Sequence, residues 1–210
     1  MGKKIFLFLL IYSLHLHSQE LGSIHLPSPQ KEIGMPLMKA LELRQSTRSF
    51  DTTALPMQEI SNLLWAADGI NRPESGKRTA PSAMNWQEVD IYVFLAQGTF
   101  LYDAKSNTLQ SIQGRDLREL TGKQGFVKDV PLNLVYTVDE RRISRASDEE
   151  KNRWSAADVG FIAQNVYLYC ASQGLAAVVR GMIDRDALIK ALKLKPEQKI
   201  ILAQSVGYPK

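Results

Sequence analysis

The chain has few of the residues that build disulfides or metal sites. Its 210 residues include one cysteine, Cys170, and three histidines. A single cysteine cannot form an internal disulfide, and the position of Cys170 on the apolar stripe of a predicted helix favours a small buried core residue over a nucleophile. His15 and His17 fall in a segment that we expect to be removed. Only His25 then remains, and no metal site is predicted.

The chain also lacks a strong excess of charge of either sign. The formal net charge is +4, and without Lys3 and Lys4, in the segment expected to be removed, 24 basic residues face 22 acidic ones, a net charge of +2. This balance argues against nucleic acid or an anionic membrane surface as the partner. With 44% hydrophobic residues, the chain can bury a substantial core as one domain or as one subunit of an intertwined dimer.

No apolar run is long enough for an ordinary membrane span. The apolar stretch Ile5–Leu16 follows Lys3 and Lys4 and is shorter than the ~18 residues expected of a transmembrane helix. A basic pair, a short apolar run and a small residue near Ser18 are typical of a secretory signal peptide. We therefore predict a signal peptide over residues 1–18 and export, to the periplasm, without membrane insertion after cleavage. An uncleaved N-terminal anchor is the alternative.

The rest of the chain predicts mixed α and β structure. Residues 19–35 contain Pro27 and Pro29 and predict an extended arm. Helical spacing follows Pro36 and Pro56, whereas alternation predicts strands after Glu88 and Pro131, a hairpin over 98–109, and two late strands separated by a short helix. This order does not alternate regularly enough for a doubly wound sheet. It predicts an α+β fold.

The longest helix is expected to begin at a capping box. In Ser155-Ala156-Ala157-Asp158, the hydroxyl and carboxylate can satisfy exposed backbone donors. The apolar stripe that follows runs from Val159 to Cys170, and Gly174 supplies the stop. The charged residues 139–145 before it are interpreted as a solvated loop.

Two short motifs carry most of the chemical information. Residues 44–48, Arg-Gln-Ser-Thr-Arg, place two guanidinium groups and two hydroxyls at the end of a predicted helix. Such donors suit a phosphate held in one orientation. Residues 80–87, Ala-Pro-Ser-Ala-Met-Asn-Trp-Gln, form a turn of small and polar residues that ends in an amide. Alone, each motif is also compatible with an ordinary helix end or turn.

Together the motifs resemble the FMN-dependent nitroreductase family. The resemblance covers residues 36–210 and includes the Gly-Leu-x-x-Val-Val-Arg-Gly segment ending at Gly181 and the closing Val-Gly-Tyr-Pro. It implies a three-layer α/β/α sandwich with a mostly antiparallel central sheet, in an intertwined homodimer with FMN at the subunit interface. The hairpin around Tyr102-Asp103 resembles the branch related to the SagB-type dehydrogenases.

The resemblance also implies a set of FMN-binding residues. The phosphate and ribityl chain would be held near one helix end, the partner subunit's flavin would meet the Pro-Ser loop, and the N5 and O4 edge of the ring would face a strand end. Gln124 would lie near the pyrimidine. Family members often carry an acidic residue at the position of Arg180, and many continue past Tyr208-Pro209 with a basic tail, whose charge Lys210 would supply. The implied residues are Arg44, Gln45, Ser46, Arg48, Pro81, Ser82, Ala83, Asn85, Gln124, Val179, Arg180, Gly181 and Lys210.

The resemblance implies an oxidoreductase that moves two electrons through flavin N5. The acceptor would be a nitroaromatic, a quinone or a similar conjugated molecule, reached by a ping-pong mechanism that needs no catalytic side chain. Nicotinamide cofactors are not expected outside the cytoplasm. One alternative is therefore an exported flavin-dependent dehydrogenase of a peptide or small molecule. A second is a non-catalytic flavin-binding protein, and a third is a flavin-free interaction protein that keeps only the fold.

Overall fold

A central antiparallel sheet organises the molecule. The structure, a computed structural model, describes residues 22–210, so the predicted signal peptide over 1–18 lies outside the described residues. The elements are β1 (Ile24–His25), α1 (Leu37–Leu43), α2 (Met57–Asp68), β2 (Ile70–Arg72), β3 (Lys77–Arg78), β4 (Val89–Leu95), β5 (Gly98–Asp103), β6 (Thr108–Gln113), β7 (Leu132–Asp139), α3 (Asp148–Gln173), β8 (Ala176–Arg180), α4 (Arg185–Leu192) and β9 (Gln198–Gly207).

Seven of the strands form one sheet in the order β1-β6-β5-β4-β7-β9-β8. Each neighbouring pair in this sheet is antiparallel, and β2 pairs with β3 in a separate small hairpin. The final strand, β9, thus lies between β7 and β8, which leaves one edge of β8 without a strand neighbour.

Two hydrophobic clusters cover the two faces of the sheet, because successive strand residues point to opposite sides. Leu134 and Tyr136 belong to the cluster formed with α2 and α3, whereas Val135 belongs to the cluster formed with α4. The predicted α+β fold with three layers and a mostly antiparallel sheet is therefore confirmed. Within residues 22–210, no helix combines the length and apolar character needed to cross a bilayer.

The start of the longest helix differs from the sequence expectation. Helix α3 begins two turns earlier than Ser155, with Ser147 as its N-cap and a capping box closed by Glu150. Ser147 Oγ accepts from Glu150 N at 3.3 Å, and the Glu150 carboxylate accepts from Ser147 N at 2.9 Å. Ser155 and Asp158 are instead buried residues inside the helix. The predicted stop is confirmed, since Gly174 has a left-handed φ of 70°.

Three further segments refine the sequence expectations. The composition of residues 71–76 predicts a loop, whereas the structure pairs Ile70–Arg72 with Lys77–Arg78 as the β2–β3 hairpin and has a turn at residues 73–76. The sequence of residues 115–120 predicts a short helix, and the structure has a single 3-10 turn there, over Arg118–Thr121. The arm is tied to the fold through β1, which pairs with β6, and through Ser61 Oγ, which donates to Pro27 O at 2.5 Å. Local propensity could not reveal the pairing of β1 with β6, because the two strands lie far apart in the sequence.

The observed capping box makes a testable prediction. Replacing Ser147 with Ala removes an acceptor for the exposed donors of the first turn, so the free energy of unfolding should fall by about 1 kcal/mol. Ser155→Ala is the matched variant. Because Ser155 Oγ is buried without a hydrogen-bond partner in the described structure, this change should be neutral or stabilising. Urea unfolding measures both, and the reverse order of stabilities would contradict the observed helix start.

Candidate functional site

Residues 44–48, the basic segment that follows α1, are held against β8, the edge strand of the sheet. Thr47 N donates to Ala177 O of β8 at 2.9 Å. The guanidinium carbon of Arg44 lies 5.4 Å from the ring centre of Tyr167 on α3, within the range of a cation–π contact. Arg44 is half-buried, whereas Gln45, Ser46 and Arg48 are exposed. The segment therefore presents its polar side chains from a fixed backbone.

Tyr167 joins this segment to β8. Its hydroxyl lies 2.8 Å from Ser46 Oγ and accepts from Val179 N at 2.8 Å. The two regions that the resemblance assigns to the phosphate end and to the ring edge are thus linked through one side chain. Helical spacing puts Tyr167 on the apolar stripe of α3, and the sequence alone does not predict this role. Its hydroxyl was the only signal in the sequence, and helical periodicity does not show where a hydroxyl points.

The last residues of the chain approach the same place. Phe50 and Pro209 form an isolated antiparallel bridge, Asp51 N donates to Tyr208 O at 2.9 Å, and Lys210 N donates to Ser49 O at 3.5 Å. Lys210 is thereby placed beside the basic segment. Within residues 22–210, no salt bridge connects Arg44, Arg48 or Lys210 to a carboxylate. These cations are available to an anionic ligand.

A second group of predicted residues lies at the end of β8. Lys123 N donates to Met182 O at 3.1 Å, which brings the turn carrying Gln124 alongside Gly181. Gln124 Oε1 is buried and has no hydrogen-bond partner in the described structure. Since Val179 N is already bonded to Tyr167, strand alternation leaves Gly181 N as the next backbone donor on the open edge. Gln124 and Gly181 can therefore contribute together to one polar site.

The side chain of Arg180 turns away from that edge and into the fold. Only 4% of the residue is exposed. Its guanidinium donates to Thr121 O at 2.6 Å, to Asn133 Oδ1 at 2.9 Å and to Ser205 Oγ at 3.1 Å. Burial lowers the pKa of Arg180 to about 10, so the group keeps its charge at neutral pH. Within residues 22–210, Arg180 forms no salt bridge with a carboxylate.

The Pro-Ser loop, residues 81–87, has an unusual backbone fixed by α3. Met84 and Asn85 have left-handed φ angles of 50° and 56°, which L-residues seldom adopt. Ala83 N donates to Asp158 Oδ2 at 2.8 Å, and Ser82 Oγ accepts from Gln87 N at 3.1 Å. Asp158 was predicted as part of a helix cap, but its structural role is to anchor this loop.

The loop and the basic segment lie against different parts of α3. Asp158 anchors the loop and Tyr167 contacts the segment, nine residues further along, which is about 13 Å along a helix axis. One chain therefore brings together residues 44–48, Gln124, the end of β8 and Lys210, but leaves Pro81, Ser82, Ala83 and Asn85 apart from them. Large apolar side chains are exposed on α1, on α3 and in the Pro-Ser loop, namely Leu37, Met38, Met84, Trp154 and Phe161.

A buried carboxyl pair lies beneath the loop. Glu88 is 0% exposed, and both its carboxyl oxygens lack a hydrogen-bond donor in the described structure. Burial raises the pKa of Glu88 to about 7, and the neighbouring Asp158 carboxyl adds to this rise. Burial likewise raises the pKa of Asp68 to about 7 and outweighs the attraction of Arg78, although Arg78 Nη1 is 2.7 Å from Asp68 Oδ2.

The described residues contain no cluster of three or more potential metal ligands.

Comparisons with known proteins agree with this architecture. A family model described as Nitroreductase family matches residues 41–208. A crystal structure of a protein named as a nitroreductase, from Ralstonia eutropha JMP134, is 42% identical, and the match covers 91% of each chain with a TM-score of 0.86. A Methanocaldococcus jannaschii protein named as a nitroreductase is 29% identical over 180 residues, 78% of this chain and 90% of the relative.

A third relative contains a cofactor. It is a crystal structure of a protein named as a nitroreductase in complex with FMN, from Desulfovibrio desulfuricans. The identity is 21%, the match covers 83% of this chain and 87% of the other, and the TM-score is 0.61. At this identity the likeness shows the fold.

The buried carboxyl pair predicts a pH-dependent stability. A raised pKa in the folded state means that the folded chain binds a proton at Glu88 more tightly than the unfolded chain does. Its contribution is therefore full below about pH 4.5 and is lost as the pH rises through about 7. Glu88→Gln should reduce this loss by on the order of 1 to 2 kcal/mol between pH 5 and pH 8. The pH-dependent contribution of Asp68 to the free energy of unfolding should remain in this variant, because the pKa of Asp68 is also raised.

Denaturant unfolding at pH 5 and pH 8 checks this expectation. Glu119→Gln removes an exposed carboxylate and is the matched control, which should follow the wild-type pH profile. If Glu88→Gln retains the full wild-type loss of stability at pH 8, the carboxyl of Glu88 is not the group that the fold keeps protonated.

Proposed function

Because this chain belongs to the nitroreductase family of FMN-dependent oxidoreductases, we propose that it binds FMN along the open edge of β8 and passes two electrons to a conjugated acceptor. The single observation that carries the proposal is the arrangement of the predicted site residues. Tyr167 connects Ser46 to Val179 at 2.8 Å on each side, so the cationic segment and the strand end form one continuous surface.

The cationic end fits the FMN phosphate. Arg44, Arg48 and Lys210 bring positive charge without carboxylate partners among the described residues, and Ser46 adds a hydroxyl. A phosphate accepts charge-assisted hydrogen bonds from such groups, each of which contributes about 1.5–3 kcal/mol. Gln45 would contact the ribityl chain by its amide or backbone. The Tyr167 ring beneath Arg44 restricts the guanidinium and so lowers the entropy lost on binding.

The other end of the proposed FMN site, at the end of β8, fits the polar pyrimidine edge of the flavin ring. Gln124 Oε1 is buried without a partner in the described structure, and an amide there can pair with the pyrimidine, whose edge carries both donors and acceptors. Gly181 N, with Val179 and Arg180 beside it, would face the N5 and O4 edge. FMN, when bound, supplies the hydride-transfer chemistry at its N5. The chain's own residues hold and orient the ring, and no side chain is required as acid or nucleophile.

We propose that a homodimer completes the site. Pro81, Ser82, Ala83 and Asn85 lie about 13 Å along α3 from the Tyr167 contact, so this loop would approach the flavin of the partner subunit. Its left-handed backbone and its anchor on Asp158 give a fixed shape to a region that passes close to a flat ring. The exposed apolar side chains on α1, α3 and the loop would be covered by the same association.

We propose a conjugated electrophile as the electron acceptor, as the family resemblance implies. A nitroaromatic, a quinone or a similar flat electrophile would take the electrons in a ping-pong cycle. The signal predicted over residues 1–18 leads us to propose export to the periplasm, where a nicotinamide donor is not expected. The proposed alternatives are an exported flavin-dependent dehydrogenase of a peptide or small molecule, and a flavin-binding protein without turnover.

Anaerobic half-reactions test the proposed cycle. The purified protein with bound FMN should lose its visible flavin absorbance when mixed with NADH, NADPH or a quinol. The absorbance should return on addition of a nitroaromatic or quinone in the absence of the donor. Bleaching without reoxidation by either acceptor would favour the dehydrogenase alternative. No bleaching by any donor would contradict catalytic turnover through these partners.

The phosphate assignment predicts a ligand-dependent effect of Arg48. Arg48→Ala should weaken FMN binding about 10- to 100-fold, because a charge-assisted bond to phosphate is lost. Binding of riboflavin, which has no phosphate, should change little. Arg115→Ala, at another exposed arginine, is the matched control for net charge. Quenching of flavin fluorescence measures both ligands, and equal weakening of FMN and riboflavin would place Arg48 away from the phosphate.

A further inference from the structure

Arg180 carries a buried positive charge that no carboxylate neutralises. The hydrogen-bond acceptors of its guanidinium in residues 22–210 are all neutral: Thr121 O, Thr121 Oγ1, Asn133 Oδ1 and Ser205 Oγ. No carboxylate of the described chain lies within salt-bridge distance of it. A desolvated charge of this kind is costly unless it acts on an opposite charge elsewhere.

The surroundings hold the guanidinium in one orientation. Asn133 Oδ1 accepts from Arg180 and also from Ser205 Oγ at 2.5 Å, while Asn133 Nδ2 donates to Val127 O at 2.8 Å. Every member of this group thus has a defined partner. Arg180 is held by strands β7, β8 and β9 and by the 3-10 turn before Gly122, so its charge cannot move to solvent without loss of several hydrogen bonds.

The charge lies directly behind the turn that carries Gln124. A Cβ atom placed on Gly122 would lie 2.0 Å from Arg180 Nη1 and 2.7 Å from Gln124 Oε1. Both atoms therefore border the same glycine, and only a residue without a side chain allows this approach. Nη1 has one acceptor, Thr121 O, for its two hydrogens, and Gln124 Oε1 has no donor. The positive end of Arg180 is thus directed at the proposed pyrimidine contact.

We propose that Arg180 is a positioning residue whose fixed charge stabilises the reduced, anionic flavin relative to the oxidised flavin. This inference rests on the proposed function. Reduction by a hydride adds two electrons and one proton to the ring, which therefore gains one negative charge at its pyrimidine end. The donor is oxidised by the same two electrons. A cation held behind Gln124 in a medium of low dielectric favours that added charge and raises the reduction potential.

Charge substitutions at residue 180 test this inference through the potential of bound FMN. Arg180→Gln removes the charge and should lower the ratio of reduced-FMN affinity to oxidised-FMN affinity at least tenfold, which is about 30 mV more negative for a two-electron couple. Arg180→Lys keeps the charge and should stay near the wild-type potential. The potentials are compared between FMN-loaded samples of each variant, so that a change in affinity for the oxidised cofactor does not enter the comparison.

A variant at a different residue tests the same inference if Arg180→Gln does not fold. Asn133→Asp leaves Arg180 in place and sets a carboxylate against its guanidinium, so it should lower the potential in the same direction as Arg180→Gln. Potentials are read by equilibration with a reference dye, and the fold is checked by circular dichroism.

Unchanged potentials in folded, FMN-loaded Arg180→Gln and Asn133→Asp would overturn the inference and leave FMN binding intact. The charge would then serve another group, such as a carboxylate of the partner subunit. Equal shifts in Arg180→Gln and Arg180→Lys would also overturn it, because loss of packing rather than of charge would explain them. If the wild-type protein does not bind FMN at all, the proposed function fails first.

Discussion

The two hydrogen bonds of the Tyr167 hydroxyl hold the candidate site together. One reaches Ser46 and the other takes the backbone donor of Val179, both at 2.8 Å. Through these bonds α3 fixes the distance between the basic segment, residues 44–48, and the open edge of β8. The ring of the same residue supports Arg44 from below. A phosphate at one end and a polar ring at the other can therefore be held by one rigid surface, as the proposed binding of FMN requires.

Helix α3 also sets what a single chain cannot supply. Asp158 binds the Pro-Ser loop two and a half turns before Tyr167, so the loop lies about 13 Å along the helix from the surface that the same chain builds. This spacing gives the proposed homodimer a physical reason, because the partner's loop would fill the place that this chain leaves open. The buried Glu88 and Asp158 beneath the loop link its anchor to the protonation state of the fold.

Much of the fold could be predicted from the sequence, and some of the site could not. Periodicity correctly located α2, β4 and the end of α3 at Gly174, because burial follows a regular spacing there. It misplaced the start of α3, since Ser155 has the form of a cap but lies inside the helix, where Asp158 faces the loop. The roles of Tyr167 and Arg180 depend on residues more than ten positions away in sequence, and no local pattern records such contacts. Family resemblance supplied the site residues, and the structure brings those of residues 44–48, Gln124, β8 and Lys210 into one region.

The most direct test of the account is the visible absorption spectrum of the purified protein after equilibration with FMN and removal of free ligand. The account predicts retained flavin, close to one FMN per chain, with bands displaced from those of the free cofactor and bleached by a chemical reductant under anaerobic conditions. Absence of retained flavin after reconstitution would contradict it. Arg44, Ser46 and Arg48 would then be an ordinary charged surface on a nitroreductase fold.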